Sequence, residues 1–127
     1  MNNSETKIGI ICPLDDEYDT CKEILGLKNE SELSGQVVSE RKENYVEVYV
    51  VKAGVGKMNS SSATKLVINQ FNTDFAINAG VAGSLAKDVN INDIVCDKYI
   101  FEYGSHTDKI LDKRYAELIA FPYSHLY

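Results

Sequence analysis

Apolar positions come in short bursts along this chain. Residues 7–12, Lys-Ile-Gly-Ile-Ile-Cys, are nearly continuous, as expected of a strand buried on both faces. Pro13 has no N–H to give a ladder and should end that strand. Leu14, Tyr18, Cys21 and Leu25 then recur at spacings of four, three and four, which is one face of a helix. Asp15, Asp16 and Glu17 fall in its first turn, where negative charge suits the helix dipole, and Gly26 is a natural stop. Residues 28–35 are polar and read as a loop. Residues 37–41 and 45–52 read as two strands joined by a polar turn at Lys42, Glu43 and Asn44. In the second of them Tyr45, Glu47, Tyr49 and Val51 face one way, and Val46, Val48 and Val50 the other. A glycine turn at 53–57 leads into a helix with Ala63, Leu66, Val67 and Phe71 as its apolar stripe and polar residues 59–62 in its first turn. Residues 75–79 are another short buried strand, 80–84 a second glycine turn, and 91–101 a strand beginning near Asp93.

Strands and helices therefore alternate, with a hairpin inserted. That order predicts an α/β fold: a three-layer αβα arrangement around a mixed, largely parallel sheet. Its first, third and fourth strands are expected at 7–12, 45–52 and 75–78, after a frayed polar tail at residues 1–6. In such sheets ligands sit at the carboxyl ends of strands. Three turns are expected there, at 13–17, 54–57 and 80–84.

Composition narrows the function classes. Thirteen basic against nineteen acidic residues leave a net charge of −6, opposite to the basic excess of nucleic-acid binders. No stretch is apolar enough to span a membrane, and residues 1–7 lack the apolar core of a signal peptide. Cys12, Cys21 and Cys96 are odd in number and have no CxxC spacing, so reduced thiols in the cytoplasm are expected, without a disulfide framework or zinc site. His106 and His125 stand far from other ligand-type residues and read as surface or packing residues.

Candidate chemistry gathers at the three turns. Gly54-Val55-Gly56-Lys57 allows close backbone approach to a ligand at a helix start. It is no phosphate-binding Walker loop, because Val51 stands at the first glycine position, and no full dinucleotide fingerprint, because Asn59 stands at the third. Gly80-Val81-Ala82-Gly83 has the same context. Asp15, Asp16 and Glu17 are either a solvated helix start or the source of a general base over the sheet edge. On composition any of the three qualifies. Seven of the twelve aromatics fall between Tyr99 and Tyr127, a concentration that suits an interface or an uncovered core.

These segments, in order, resemble a known family. Residues 7–11, Leu14-Asp15-Asp16-Glu17, the run 51–59 around Gly54-Val55-Gly56-Lys57, the run 77–85 around Gly80-Val81-Ala82-Gly83-Ser84, and Asn92-Asp93-Ile94-Val95 together look like the N-terminal half of 5′-methylthioadenosine/S-adenosylhomocysteine nucleosidases. These belong to the purine nucleoside phosphorylase and uridine phosphorylase superfamily. The resemblance implies that residues 1–127 form the N-terminal portion of a nucleoside phosphorylase-like domain. It implies hydrolysis of the N-ribosyl bond of 5′-methylthioadenosine and S-adenosylhomocysteine to adenine and a thioribose in methionine salvage, with no metal or organic cofactor, in a cytoplasmic homodimer whose partner is a small-molecule purine nucleoside, not nucleic acid or membrane.

By the same resemblance the general base falls on Glu17. The methylthio and ribose side of the pocket falls on Leu14 and Val55, and the turn bordering water and sugar on Val81, Ala82 and Gly83. Leu118 and Phe121 fall in the segment that caps the thioalkyl group in the neighbouring subunit. The family usually carries a hydroxyl residue where Val81 stands, glycine at the positions of Cys12 and Ser84, and a small residue at that of Pro13. Its ribose-clamping Glu, its purine-protonating Asp and its base-stacking aromatic belong to the half beyond residue 127, so an isolated chain of this length is expected to be inactive. The alternatives are a phosphorylase, disfavoured by three carboxylates and no arginine between Cys12 and Glu17, and a non-catalytic nucleoside-binding remnant.

Overall fold

The structure is a computed structural model that describes residues 5–96. Five strands and two helices follow in the order β1 (Thr6–Cys12), α1 (Asp15–Ile24), β2 (Asn29–Leu33), β3 (Gln36–Glu43), β4 (Val46–Lys52), α2 (Lys57–Asn69) and β5 (Phe75–Asn78). They form one mixed sheet of order β2-β3-β4-β1-β5. β1 is central to the parallel part, paired with β4 from Thr6↔Val46 to Cys12↔Lys52 and with β5 from Ile8↔Phe75 to Ile11↔Asn78. β2 and β3 extend it antiparallel beyond β4.

The period-two pattern sorts side chains onto two helical layers. Ile11, Val38, Val51 and Ala53 pack with Ala63, Leu66 and Val67 of α2. Cys12 and Val50 pack with Tyr18 of α1 and with Leu27, and Ile10, Cys21, Val37 and Val48 border them. The opposed faces expected within 45–52 are those observed, with Tyr49 stacked on Phe71 at a centroid distance of 4.1 Å. α2 crosses β1 at Gly9, where an added Cβ would stand 2.7 Å from Val67 Cβ. Only a glycine admits the helix so close.

The polar stretch at 28–35 is not a loop. It contains β2, joined to β3 by Ser34 and Gly35, both at positive φ (54° and 75°), the geometry of a tight two-residue hairpin turn. β2 is an edge strand exposed along nearly its whole length, so no apolar alternation marks it. Strands 45–52 and 75–78 are consequently the fourth and fifth. The second hairpin turns at Asn44 and Tyr45, because β3 runs on through Lys42 and Glu43. Thr6 belongs to β1 instead of a tail, its N–H bonded to Tyr45 O at 2.7 Å. Among the described residues β5 is the last strand on its side of the sheet, with Phe75 and Ile77 exposed, where a buried strand was expected. Residues 91–96 are not in a strand, and 97–101 lie outside the described residues.

The chain divides into two compact units at Ala82 and Gly83. Everything above belongs to the first. In the second, residues 83–96 form turns, with Ala86 N–H on Ser84 Oγ at 3.0 Å and Asn90 N–H on Asp93 Oδ2 at 2.7 Å.

Candidate functional site

β1, β4 and β5 are parallel, so their carboxyl ends reach the same sheet edge. Ala53 N–H bonds to Cys12 O at 2.9 Å and Ala79 N–H to Ile11 O at 3.0 Å, which carries the strands up to the turns that follow them. Past Pro13, the N-cap of α1 is Leu14, in extended conformation. Leucine has no side-chain acceptor for the free N–H groups of a helix start. Glu17 instead reaches back from the first turn, and its Oε2 accepts Leu14 N–H at 2.8 Å.

The other oxygen of Glu17 does something that capping does not require. Oε1 accepts Val81 N–H at 2.8 Å, across 64 positions of sequence. The carboxylate thus bridges the start of α1 and the turn after β5, half-buried between them. Gly80 makes room for it: a Cβ there would stand 2.7 Å from Oε1 and 3.1 Å from Cδ.

The three neighbouring acids are therefore separated by tertiary structure. Glu17 alone is bonded to the turn after β5. Asp15 is exposed and its Oδ1 pairs with Lys52 Nζ at 3.0 Å, a bond that raises the Lys52 ammonium above its ordinary value. Asp16 is exposed.

Leu14, Val55 and Val81 are all exposed at this end of the sheet. The Val55 loop is built by Gly54 and Gly56 at φ 83° and 104°, a region side chains disfavour. It is tied down by Asn59, whose Nδ2 donates to Val55 O at 2.7 Å. The residue that breaks the dinucleotide pattern thus has a task of its own. The contact from Val81 to Glu17 is made by backbone, so it is indifferent to the missing hydroxyl. Ala82 closes the first unit and Gly83 opens the second, so they fall on opposite sides of the division. Leu118, Phe121, His106 and His125 lie outside the described residues. Among the described residues no three His, Cys, Asp or Glu side chains gather as a metal site, and no helix is long and apolar enough to cross a membrane.

The family resemblance singled out Glu17, but sequence reasoning missed Gly80 beside its carboxylate, Lys52 on Asp15 and Asn59 on the Val55 loop. Gly80 was legible as a glycine after a strand. Lys52 carried no signal, since a lysine ending a strand is ordinary.

A parallel β-α-β core with turns converging at the strand ends defines an α/β domain of the kind that binds ligands there. Residues 7–125 match the phosphorylase superfamily, and the chain belongs to that superfamily. It is 32% identical over 99 residues to a 5′-methylthioadenosine/S-adenosylhomocysteine nucleosidase of Staphylococcus epidermidis, covering 78% of this chain and 43% of the relative. A nucleosidase of the same name from Buchnera aphidicola is 34% identical over 92 residues, 72% of this chain and 39% of the relative. The chain thus spans less than half the length of these relatives. Among solved structures, a Helicobacter pylori nucleosidase mutant with 5′-methylthioadenosine in the active site superposes with a TM-score of 0.64 at 34% identity, over 69% of this chain and 38% of that one. Futalosine hydrolase of the same species superposes with a TM-score of 0.63 at 33% identity, over 70% and 40%.

Proposed function

We propose that this chain supplies the water-activating side of a purine-nucleoside N-ribosyl hydrolase. Its substrates are 5′-methylthioadenosine and S-adenosylhomocysteine, and its products adenine and a thioribose. The observation that carries the reading is the bridging carboxylate of Glu17. An ionised carboxylate has about four lone-pair sites. Leu14 and Val81 N–H groups occupy two, one on each oxygen. They fix the orientation of the group and leave a lone pair on each oxygen for a water.

Breaking a ribose–purine bond passes through an oxocarbenium-like state. Glu17 takes a proton from water as its oxygen attacks the anomeric carbon, and an acid elsewhere protonates the departing purine. By the family resemblance that acid and the ribose clamp belong to the other half of the domain. Leu14 and Val55 offer apolar surface to the thioalkyl side, and Val81, Ala82 and Gly83 border the sugar. By the family resemblance Leu118 and Phe121 belong to the segment that caps the pocket of the neighbouring subunit, in a cytoplasmic homodimer. Asp15, Asp16 and Glu17, with no arginine between Cys12 and Glu17, oppose binding of a phosphate nucleophile.

The test is adenine release from methylthioadenosine, with and without phosphate. It is run on the 127-residue chain alone and on the chain joined to the C-terminal part of the Staphylococcus epidermidis relative. The isolated chain should give no enzymatic turnover, and the joined protein should turn over without phosphate. Turnover only with phosphate would make it a phosphorylase. A folded joined protein with no turnover under either condition would sink the reading.

A further inference from the structure

α1 carries Glu17, yet few contacts fix how the helix lies on the sheet. It is ten residues long, and Tyr18 is its one buried side chain. Asp15 and Lys52 in its first turn are a partly exposed pair, of the kind that contributes little. Arg41 Nη1 donates to Leu25 O at 2.8 Å, but at the far end of the helix from Glu17.

Tyr18 is held more firmly. Its ring enters the cluster of Cys12, Leu27 and Val50 and its hydroxyl ends on groups of the β2–β3 hairpin. That hydroxyl donates to Glu30 Oε2 at 3.1 Å. With its one proton so used, it accepts from the Ser39 hydroxyl, which is completely buried, at 2.6 Å. Lys22 Nζ donates to the same Glu30 oxygen. Burial, and behind it Glu30, raise Tyr18 above its ordinary value of 10 against the lowering effects of Ser39 and Lys22. The hydroxyl therefore keeps its proton throughout the neutral range.

Glu17 precedes Tyr18 by one residue, about 100° round the helix. Where Tyr18 is pinned thus sets where Glu17 points. The two bonds of the carboxylate differ in what they need. Leu14 N–H belongs to the same helix start and travels with Glu17. Val81 N–H is 64 positions away at 2.8 Å. Such bonds span about 2.7–3.2 Å, so a small roll of α1 breaks it. We propose, on the reading of Glu17 as the base, that Tyr18 is its positioning residue: the buried bond from Ser39 sets the roll of α1 at which the carboxylate meets Val81 N–H. The hairpin, which has no candidate residue in the site, thereby acts on it through the helix.

The amide proton of an N–H bonded to a carboxylate moves when that carboxylate takes up a proton, so both ends of the bridge are readable without activity. The 127-residue chain is labelled with nitrogen-15 leucine and valine and titrated into acid, in the Ile77→Lys background where association broadens the signals. In the wild type the Leu14 and Val81 amide protons should move together. In Tyr18→Phe, which removes only the hydroxyl, Leu14 should still follow the carboxylate and Val81 should not. Ser39→Ala cuts the same bond from β3 and should do the same, so one folded variant suffices. Val81 still following in both variants overturns the proposal. So does loss of the Leu14 and Val81 responses together, which marks a merely structural tie, or a wild-type Val81 that never follows the carboxylate. In the joined protein either variant should lower kcat about tenfold or more with KM within about twofold, since a misplacement of about 1 Å can cost about 10²-fold. A normal kcat in a variant whose Val81 response is lost also overturns it. A joined wild type without turnover removes the reading of Glu17 as the base, and the Val81 response still decides whether Tyr18 places the carboxylate.

Discussion

Asp15, Asp16 and Glu17 are chemically near-identical, and what separates them is the partner each one reaches. Glu17 is held by Leu14 and Val81 N–H groups, Asp15 by Lys52. In the joined nucleosidase, Glu17→Gln should lower kcat by about 10²–10⁴-fold with KM little changed, because the amide keeps the shape but cannot take the proton. Asp15→Asn and Asp16→Asn should leave kcat near normal and cost about 0.3–1 kcal/mol each through the helix dipole. A dead Asp16→Asn enzyme, or a Glu17→Gln enzyme with normal kcat, would move the base elsewhere. Gly80→Ala tests the same carboxylate from the opposite side. The new methyl would stand 2.7 Å from Oε1, so Glu17 must leave its place, and kcat should fall toward that of Glu17→Gln while circular dichroism stays unchanged.

Elements formed where local pattern and tertiary need agreed. Residues 7–12 and 45–52 announced themselves because both faces are buried, and α1 because Leu14, Tyr18, Cys21 and Leu25 share one side. β2 did not. An edge strand exposed over four of its five residues is free to be polar there, with only Leu33 packing on the core, and its pairing with β3 makes it a strand. Besides its apolar packing, α2 makes one approach to β1 that only glycine allows. Gly9→Ala forces a methyl into Val67 at 2.7 Å, so α2 must lift from β1, at a cost of about 1–3 kcal/mol as for other overpacked cores. Urea unfolding should show a lower midpoint at unchanged slope. An unaltered midpoint would mean that α2 does not rest on β1 as described.

Two predictions belong to the whole molecule. Glu47 is buried on the α2 side of the sheet, bonded by the Tyr49 hydroxyl and paired with Lys42 at 3.3 Å and Lys7 at 3.4 Å. The Tyr49 bond, then Lys42 and Lys7, hold its carboxyl below the ordinary value of 4.5 against the opposing effect of burial. A depressed folded value means that the unfolded chain takes up the proton first. The stability due to Glu47 is therefore complete above pH 4.5 and lost as pH falls through the lower folded value. Thermal melts of wild type and Glu47→Gln should differ most at neutral pH and converge in acid. Parallel curves would rule out this linkage. Separately, β5 is an edge strand among the described residues and presents Phe75 and Ile77 to solvent, a template for pairing with other chains. The 127-residue chain should self-associate in sedimentation, and Ile77→Lys should reduce this. A compact monomer with a cooperative melt would count against it.

The sequence by itself determined the alternation of strands and helices, the α/β class and the three turns that bear chemistry. Those follow from period and turn residues, which act within a few positions of the chain. It also placed Glu17 in a helix start, where three acids remained equivalent. Resemblance to a family, not the pattern of the chain, pointed to Glu17, and only tertiary structure gave it a partner of its own, because that contact joins residue 17 to residue 81, and a hydrogen bond over that distance exists only once β1 and β5 pair side by side. The same holds for Lys52 on Asp15 and for Gly80 beneath the carboxylate. Each depends on which strands become neighbours, and a pattern along the chain does not encode that neighbourhood at a single residue.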